Sequence, residues 1–119
     1  MDDIKSIVRQ YHSDSKQDFE TATSFYNYKL YHKTLFFCHL SIENALKAAV
    51  IKKTGLTIVP GAYTLSSLVH QHGFAIPQHL LEDLDQISTF NITENDERHK
   101  AFRETKATEA NARKYIADI

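Results

Sequence analysis

The stretch YHKTLFFCHLSIENALKAAVIKK, residues 31–53, decides the fold. Its apolar residues recur every three or four positions, which is the periodicity of an α-helix. They cover most of the helix circumference, so we expect a buried helix at the centre of the core. Lys52, Lys53 and Gly55 mark its end, because cations favour the negative end of the helix dipole and glycine readily adopts the conformation that closes a helix.

Helical spacing also describes the residues before and after this central helix. Apolar residues from Ile4 to Tyr26 predict a first helix that either continues through residues 13–15 or restarts there. A short third helix ends near Gly73, and Pro77 opens a fourth at the position where its missing N–H costs least. The buried stripe of the fourth helix is predicted to comprise Leu80, Leu81, Leu84 and Ile87.

The last third of the chain is more strongly charged. Residues 91–104 lack a clean apolar period and are predicted to form a charged loop. Thr105 or Thr108 then caps a last helix. Together the segments predict an all-α fold, an antiparallel up-and-down bundle of four to five helices that forms a single domain over residues 1–119.

The composition excludes several classes of protein. The 119 residues carry a net charge of -1, so nucleic acid can be bound only through a local basic patch. The three glycines are too far apart for a phosphate-binding loop. The chain lacks the HExxH, CxxC and Glu-x-x-His motifs, so we expect no metal and no cofactor. Cys38, the one cysteine, is predicted to be a core residue whose thiol has a raised pKa.

Targeting signals are also missing from the pattern. The first residues are acidic and then amphipathic, without an apolar leader segment. The uncharged stretch over residues 54–81 is interrupted by prolines and glycines and contains several histidines and glutamines, so it does not fit a membrane span. We therefore expect a cytoplasmic protein that does not contact a membrane.

Two groups of polar residues are candidates for a binding site. His39, Glu43 and Lys47 follow an i, i+4, i+8 spacing on the central helix, so they project from one face. This row could bind a phosphate or a partner carboxylate, or it could be a solvated stripe of ordinary ion pairs. Asn44 lies on another edge, where we expect a hydrogen bond between helices.

The second group is Arg98 and His99, in the segment that follows Phe90. An imidazole can move a proton to or from a ribose hydroxyl while a guanidinium offsets phosphate charge, which is the chemistry of metal-independent RNA cleavage. Adjacent residues seldom converge on one atom, however. A self-neutralising loop without catalytic function is therefore the competing interpretation.

Residues 36–51, FFCHLSIENALKAAVI, resemble the central helix of HEPN domains, which are small helical modules often encoded beside minimal nucleotidyltransferases in prokaryotes. The Gly55 turn, the loop containing Pro60, Pro77 and the sequence Phe-Asn-Ile at 90–92 follow in the order typical of that family. The similarity covers roughly residues 14–118.

The resemblance implies a helical bundle that commonly pairs as a homodimer. Members are either metal-independent ribonucleases, often toxins, or noncatalytic modules that bind nucleotides, RNA or a nucleotidyltransferase partner. The ribonuclease branch carries an arginine and, a few residues later, a histidine. Neither Arg9 nor Arg98 is followed by a histidine at that spacing.

We therefore predict a noncatalytic, homodimeric module in a toxin-antitoxin-type system. It is expected to bind a nucleotide, RNA or a nucleotidyltransferase partner. The residues predicted to make these contacts are His39, Glu43, Lys47, Asn91 and Arg98. The alternative is a divergent metal-independent ribonuclease that uses Arg98 and His99.

Overall fold

The computed structural model describes residues 3–55, 65–71, 73–74, 76–90 and 96–118. Within these ranges the chain forms six helices and no strand, which confirms the predicted all-α class. In chain order the helices are α1 (Ile4–Asn27), α2 (Tyr31–Thr54), α3 (Leu65–Gln71), α4 (Gln78–Ser88), α5 (His99–Thr105) and α6 (Glu109–Asp118).

Helices α1 and α2 form a long antiparallel hairpin. The sequence left open whether the first helix is interrupted at residues 13–15, and the structure has it continuous. Ser15 is engaged in packing rather than capping, because its hydroxyl donates to the carbonyl oxygen of Ser41 at 2.7 Å while the Ser41 hydroxyl donates to the carbonyl oxygen of Ser15 at 2.9 Å. These reciprocal bonds hold the two backbones close at the crossing.

Further polar and aromatic contacts join α1 to α2. The side-chain amide of Asn44 donates to Asp18 Oδ2 at 2.8 Å, which confirms the predicted interhelical hydrogen bond. Burial raises the pKa of the Asp18 carboxyl, and the hydrogen bond from Asn44 opposes that change. Nearer the turn, the rings of Phe25 and Phe37 stack with centroids 5.5 Å apart.

Helix α2 is the centre of the bundle, as predicted. Its buried side chains lie on all sides of the helix, and the other five helices all pack against it. Leu35, Cys38 and Ile51 are fully buried. By length and composition α2 is also the one helix of the described residues that could cross a membrane, and its position in the core accounts for that apolar composition. It ends at Gly55, which has φ +75° and donates its N–H to the carbonyl of Ile51.

In the second half of the chain, the helices begin and end close to the predicted residues, with small differences. Pro77 precedes the first residue of α4 as its N-cap, and Thr108 rather than Thr105 caps α6 by accepting from the N–H of Asn111. Of the predicted stripe on α4, Leu84 and Ile87 are buried, whereas the two remaining leucines are half-buried.

The prediction of a loop over residues 91–104 is wrong in its second half, where α5 forms. This helix is only seven residues long, so it places a single side chain, Phe102, fully in the core. The ring of Phe102 lies 6.1 Å from that of Phe90, which in turn contacts Tyr115 of α6 at 5.1 Å. One buried position in a charged segment produces no detectable apolar period.

Candidate functional site

The predicted row on α2 is more enclosed than a solvated stripe. His39 is only 5% exposed, whereas Glu43 and Lys47 are half-buried. The Glu43 carboxylate and the Lys47 ammonium lie 3.9 Å apart, so they form the i, i+4 ion pair that the spacing predicts. The row therefore has a buried imidazole at one end and a partly exposed ion pair at the other.

The environment of His39 keeps its imidazole neutral at physiological pH. Burial lowers the pKa of His39, Lys47 lowers it further, and Glu43 acts in the opposite direction. The Nδ1 atom is buried without a hydrogen-bond partner among the described residues. A buried polar atom without a hydrogen-bond partner lowers the free energy of unfolding. We therefore expect the fold to be less stable with His39 than with an apolar side chain at this position.

His32, near the start of α2, contacts a histidine of α5. The rings of His32 and His99 meet edge to face, with centroids 5.3 Å apart. His32 precedes His39 by seven residues, which is two helical turns, so both histidines lie on the same side of α2. Helix α5 thereby brings His99 to the side of α2 that carries the predicted row. His32 was not predicted as a site residue from the sequence, although its seven-residue spacing from His39 could have indicated it.

Arg98 is not available as a free cation. Its backbone N–H and its Nε both donate to Asp96 Oδ1, at 2.8 and 3.0 Å, and Nη2 donates to Oδ2 at 2.7 Å. These hydrogen bonds hold the pKa of the Asp96 carboxyl at about 2. The Arg98 side chain is 67% exposed, yet its charge is neutralised locally. Asn91, the remaining predicted contact, lies outside the described residues.

A cleft of about 580 Å³ opens beside α5. We call it the α5 cleft, and it is lined by Asp96, Glu97, His99, Lys100, Arg103 and Glu104. Since Asp96 is engaged by Arg98, the free charges are two carboxylates and two permanent cations. The α5 cleft is therefore close to neutral and carries both signs.

An apolar groove of about 210 Å³ lies between α2 and α4. We call it the α2–α4 groove, and it is lined by Ile42, Ala45, Leu46, Ile76, Leu80, Asp83, Leu84 and Ile87. Most of these side chains are only half-buried. Aliphatic carbons therefore remain exposed along the groove.

The sequence also raised the questions of a reactive cysteine and of a metal site. Cys38 is fully buried, and burial raises the pKa of its thiol to about 12, which confirms its interpretation as a core residue. The described ranges contain no group of three His, Cys, Asp or Glu side chains positioned to hold a metal ion.

A family model described as HEPN domain matches residues 8–118, nearly the whole chain. No curated protein and no solved structure matches the chain.

The buried imidazole predicts a specific dependence of stability on pH. In the unfolded chain a histidine has a pKa of about 6.5, above the value in the fold, so the unfolded state binds more protons as the pH falls. The free energy of unfolding should therefore decrease from about pH 7.5 to about pH 5.5. His39→Leu removes this contribution and should be at least as stable as the wild type at the higher pH, because the unpartnered Nδ1 is gone.

Denaturant unfolding at both pH values measures the effect. His79→Leu, at an exposed position on α4, is the matched control and should keep the pH dependence of the wild type. Equal pH dependence in His39→Leu and the wild type would contradict the interpretation.

Proposed function

The chain belongs to the HEPN domain family, and on that premise we propose that it is a noncatalytic, homodimeric module that binds a nucleotidyltransferase partner in a toxin-antitoxin-type system. A nucleotide or RNA is the other ligand consistent with such a module. The proposed contact surface, here called the polar face, consists of the α5 cleft together with His32, His39, Glu43 and Lys47 of α2. A cytoplasmic location and a prokaryotic source stay predictions.

The proposal that the module is noncatalytic rests on the hydrogen bonds between Arg98 and Asp96. Stabilising a phosphorane-like transition state needs a guanidinium whose charge and donors point at phosphate oxygens. Two side-chain N–H groups of Arg98 and its backbone N–H all donate to the Asp96 carboxylate. Binding phosphate along the same edge of the guanidinium would require breaking these charge-assisted hydrogen bonds, which are among the stronger ones in proteins.

The charge of the α5 cleft favours a protein partner. A polyanion would meet Glu97 and Glu104 as well as Lys100 and Arg103. A folded surface that carries both signs can complement all four groups, and such complementarity gives specificity. The volume of the cleft also lies in the range of small-ligand sites, which keeps a nucleotide as the second ligand.

The α2–α4 groove supports the homodimer. Its half-buried aliphatic residues, Ile42, Leu46, Ile76 and Leu80, leave apolar surface that a second copy would cover. Phe74 and Ile76, two apolar residues of the uncharged stretch over residues 54–81, are half-buried. Three others, Ile58, Val59 and Tyr63, lie outside the described residues.

The ribonuclease alternative is favoured by one observation, the contact between His32 and His99. Two adjacent imidazoles can serve as a general acid and a general base if one is protonated and the other neutral. In that case the guanidinium of Arg98 would have to donate to a phosphate of the bound RNA. The two proposals therefore differ in the partner of Arg98, which is Asp96 in the noncatalytic module and an RNA phosphate in the ribonuclease.

Capture from the native host tests the partner. The tagged wild type should co-purify with a nucleotidyltransferase, identified by mass spectrometry, while Lys100→Glu/Arg103→Glu should lose it because both cations of the α5 cleft are reversed. The matched control Lys106→Glu/Arg113→Glu reverses two exposed cations elsewhere and should retain the partner. Equal capture by both double variants would reject the polar face as the contact surface.

An RNA cleavage assay without metal separates the two proposals. We expect no cleavage by the wild type, because Arg98 is held by Asp96. Metal-independent cleavage that disappears in both His99→Ala and Arg98→Ala would establish the ribonuclease instead. Circular dichroism of the variants would exclude unfolding as the cause.

Light scattering at micromolar concentration tests the homodimer. The wild type should have twice the mass of one chain, and Leu80→Glu should be monomeric, because a charge in the α2–α4 groove cannot be buried without a partner. Gln86→Glu, at an exposed position of the same helix, is the control and should stay dimeric. A monomeric wild type would remove the proposal.

A further inference from the structure

The turn that joins α1 to α2 exposes apolar side chains. Tyr28 is 78% exposed and Leu30 is 38% exposed, and they are the two large hydrophobic residues that stay exposed among the residues that the structure describes. Lys29 lies between them and is exposed as well. We call Tyr28, Lys29 and Leu30 the hairpin tip. None of them belongs to the polar face or lines the α2–α4 groove.

The backbone of the hairpin tip closes α1 with a motif that favours glycine. The N–H of Leu30 donates to the carbonyl of Phe25 at 2.9 Å, and the N–H of Lys29 donates to the carbonyl of Tyr26 at 3.0 Å, which is the Schellman pattern. The pattern places residue 29 in the left-handed region, and Lys29 has φ +63°. Glycine adopts this conformation without the steric cost that a Cβ atom incurs. Lysine therefore makes the turn less stable than glycine would.

The first residue of the next helix end is also a poor choice for folding. Leu30 is the N-cap of α2, and it makes no side-chain capping hydrogen bond. Serine, threonine, asparagine or aspartate would accept a hydrogen bond from a free backbone N–H there. Two successive residues thus give up local stability, beside an aromatic ring that is left in water. Such departures from local folding preference are expected where residues serve a function.

The chain segments that form the hairpin tip carry cations and no carboxylate. Residues 21–42 contain no aspartate or glutamate, and they include Lys29 and Lys33. Glu109 of α6 reaches this end of the bundle through a hydrogen bond with Tyr26, but its carboxylate lies 3.5 Å from the guanidinium of Arg113. An exposed aromatic ring next to a cation complements an apolar pocket with a carboxylate at its rim.

The hairpin tip and the polar face lie at the same end of the bundle. His32 follows Tyr28 by four residues, and its ring contacts His99, which lines the α5 cleft. Apart from His99, the side chains that line the α5 cleft are all charged. Interfaces between folded proteins gain much of their binding energy from a few buried anchors, among which tyrosine is enriched. The polar face offers charge complementarity, and the hairpin tip offers the aromatic anchor beside it.

We propose that the hairpin tip is the apolar anchor of the contact with the nucleotidyltransferase partner. Tyr28 inserts into an apolar pocket of that protein, and Lys29 donates to a carboxylate at the rim of the pocket. This inference rests on the partner proposed above and adds the chemistry of the surface that the partner must present. Binding rather than folding then accounts for the lysine at a position that favours glycine.

Biolayer interferometry tests the anchor, with the nucleotidyltransferase captured from the native host as the purified binding partner. Tyr28→Ala should weaken binding by at least about 30-fold, since truncating an aromatic anchor has an effect of that size or larger. Tyr28→Phe is the conservative control and should keep the affinity of the wild type. Because Tyr28 is 78% exposed, neither variant should change the midpoint of denaturation.

Lys29→Gly separates binding from folding, because its two effects have opposite signs. Glycine relieves the unfavourable φ, so the midpoint of denaturation should rise. Loss of the ammonium should weaken binding by about threefold, the size expected for an ion pair at the rim of an interface. Lys29→Arg keeps the charge and should keep both properties of the wild type. Unchanged affinity of Lys29→Gly would contradict the carboxylate at the rim.

The outcomes distinguish this inference from the proposed function. Binding that survives Tyr28→Ala but is lost in Lys100→Glu/Arg103→Glu would overturn the anchor and leave the polar face as the contact surface. A wild type that captures no nucleotidyltransferase would overturn both. A lower midpoint of denaturation in Tyr28→Ala would assign Tyr28 to the fold, and a monomeric Tyr28→Ala in light scattering would assign it to the second copy. Either result would also overturn the proposal.

Discussion

The central position of α2, against which the other five helices pack, is the constraint on which the rest of the structure depends. A helix in that position must find hydrogen-bond partners for each polar side chain that it buries. Ser41 and Asn44 find them on α1, where they fix the pairing of the hairpin. His39 has an unpartnered Nδ1 and stays neutral because charging it in the core would be unfavourable. The packing of α2 thus distinguishes Ser41 and Asn44, whose hydrogen bonds join two helices, from His39, whose Nδ1 has no partner among the described residues.

The same packing leaves openings at the edges of the described bundle. The mixed-charge α5 cleft opens beside α5, and the apolar α2–α4 groove opens between α2 and α4. The first carries charges of both signs and the second exposes aliphatic carbons, so the two surfaces differ in the chemistry that they offer.

Local signals in the sequence predicted the parts of the fold that depend on local structure. The period of α2, the glycine at its end and Thr108 before α6 each act within one or two helical turns. Helix α5 escaped prediction because Phe102 is its one fully buried residue. The contact of His32 with His99 joins residues more than sixty positions apart, so only the folded chain shows it.

The arrangement around Arg98 bears on the proposal that the module is noncatalytic. A guanidinium contributes to phosphoryl chemistry through donors that are directed at the phosphate. Asp96, two residues earlier, accepts from Nε, Nη2 and the backbone N–H of Arg98, so one edge of the guanidinium is already bonded within the segment. The ring of the histidine that follows lies against His32 of α2. Arg98 and His99 thus contact different partners, which is why we propose binding rather than RNA cleavage for this segment.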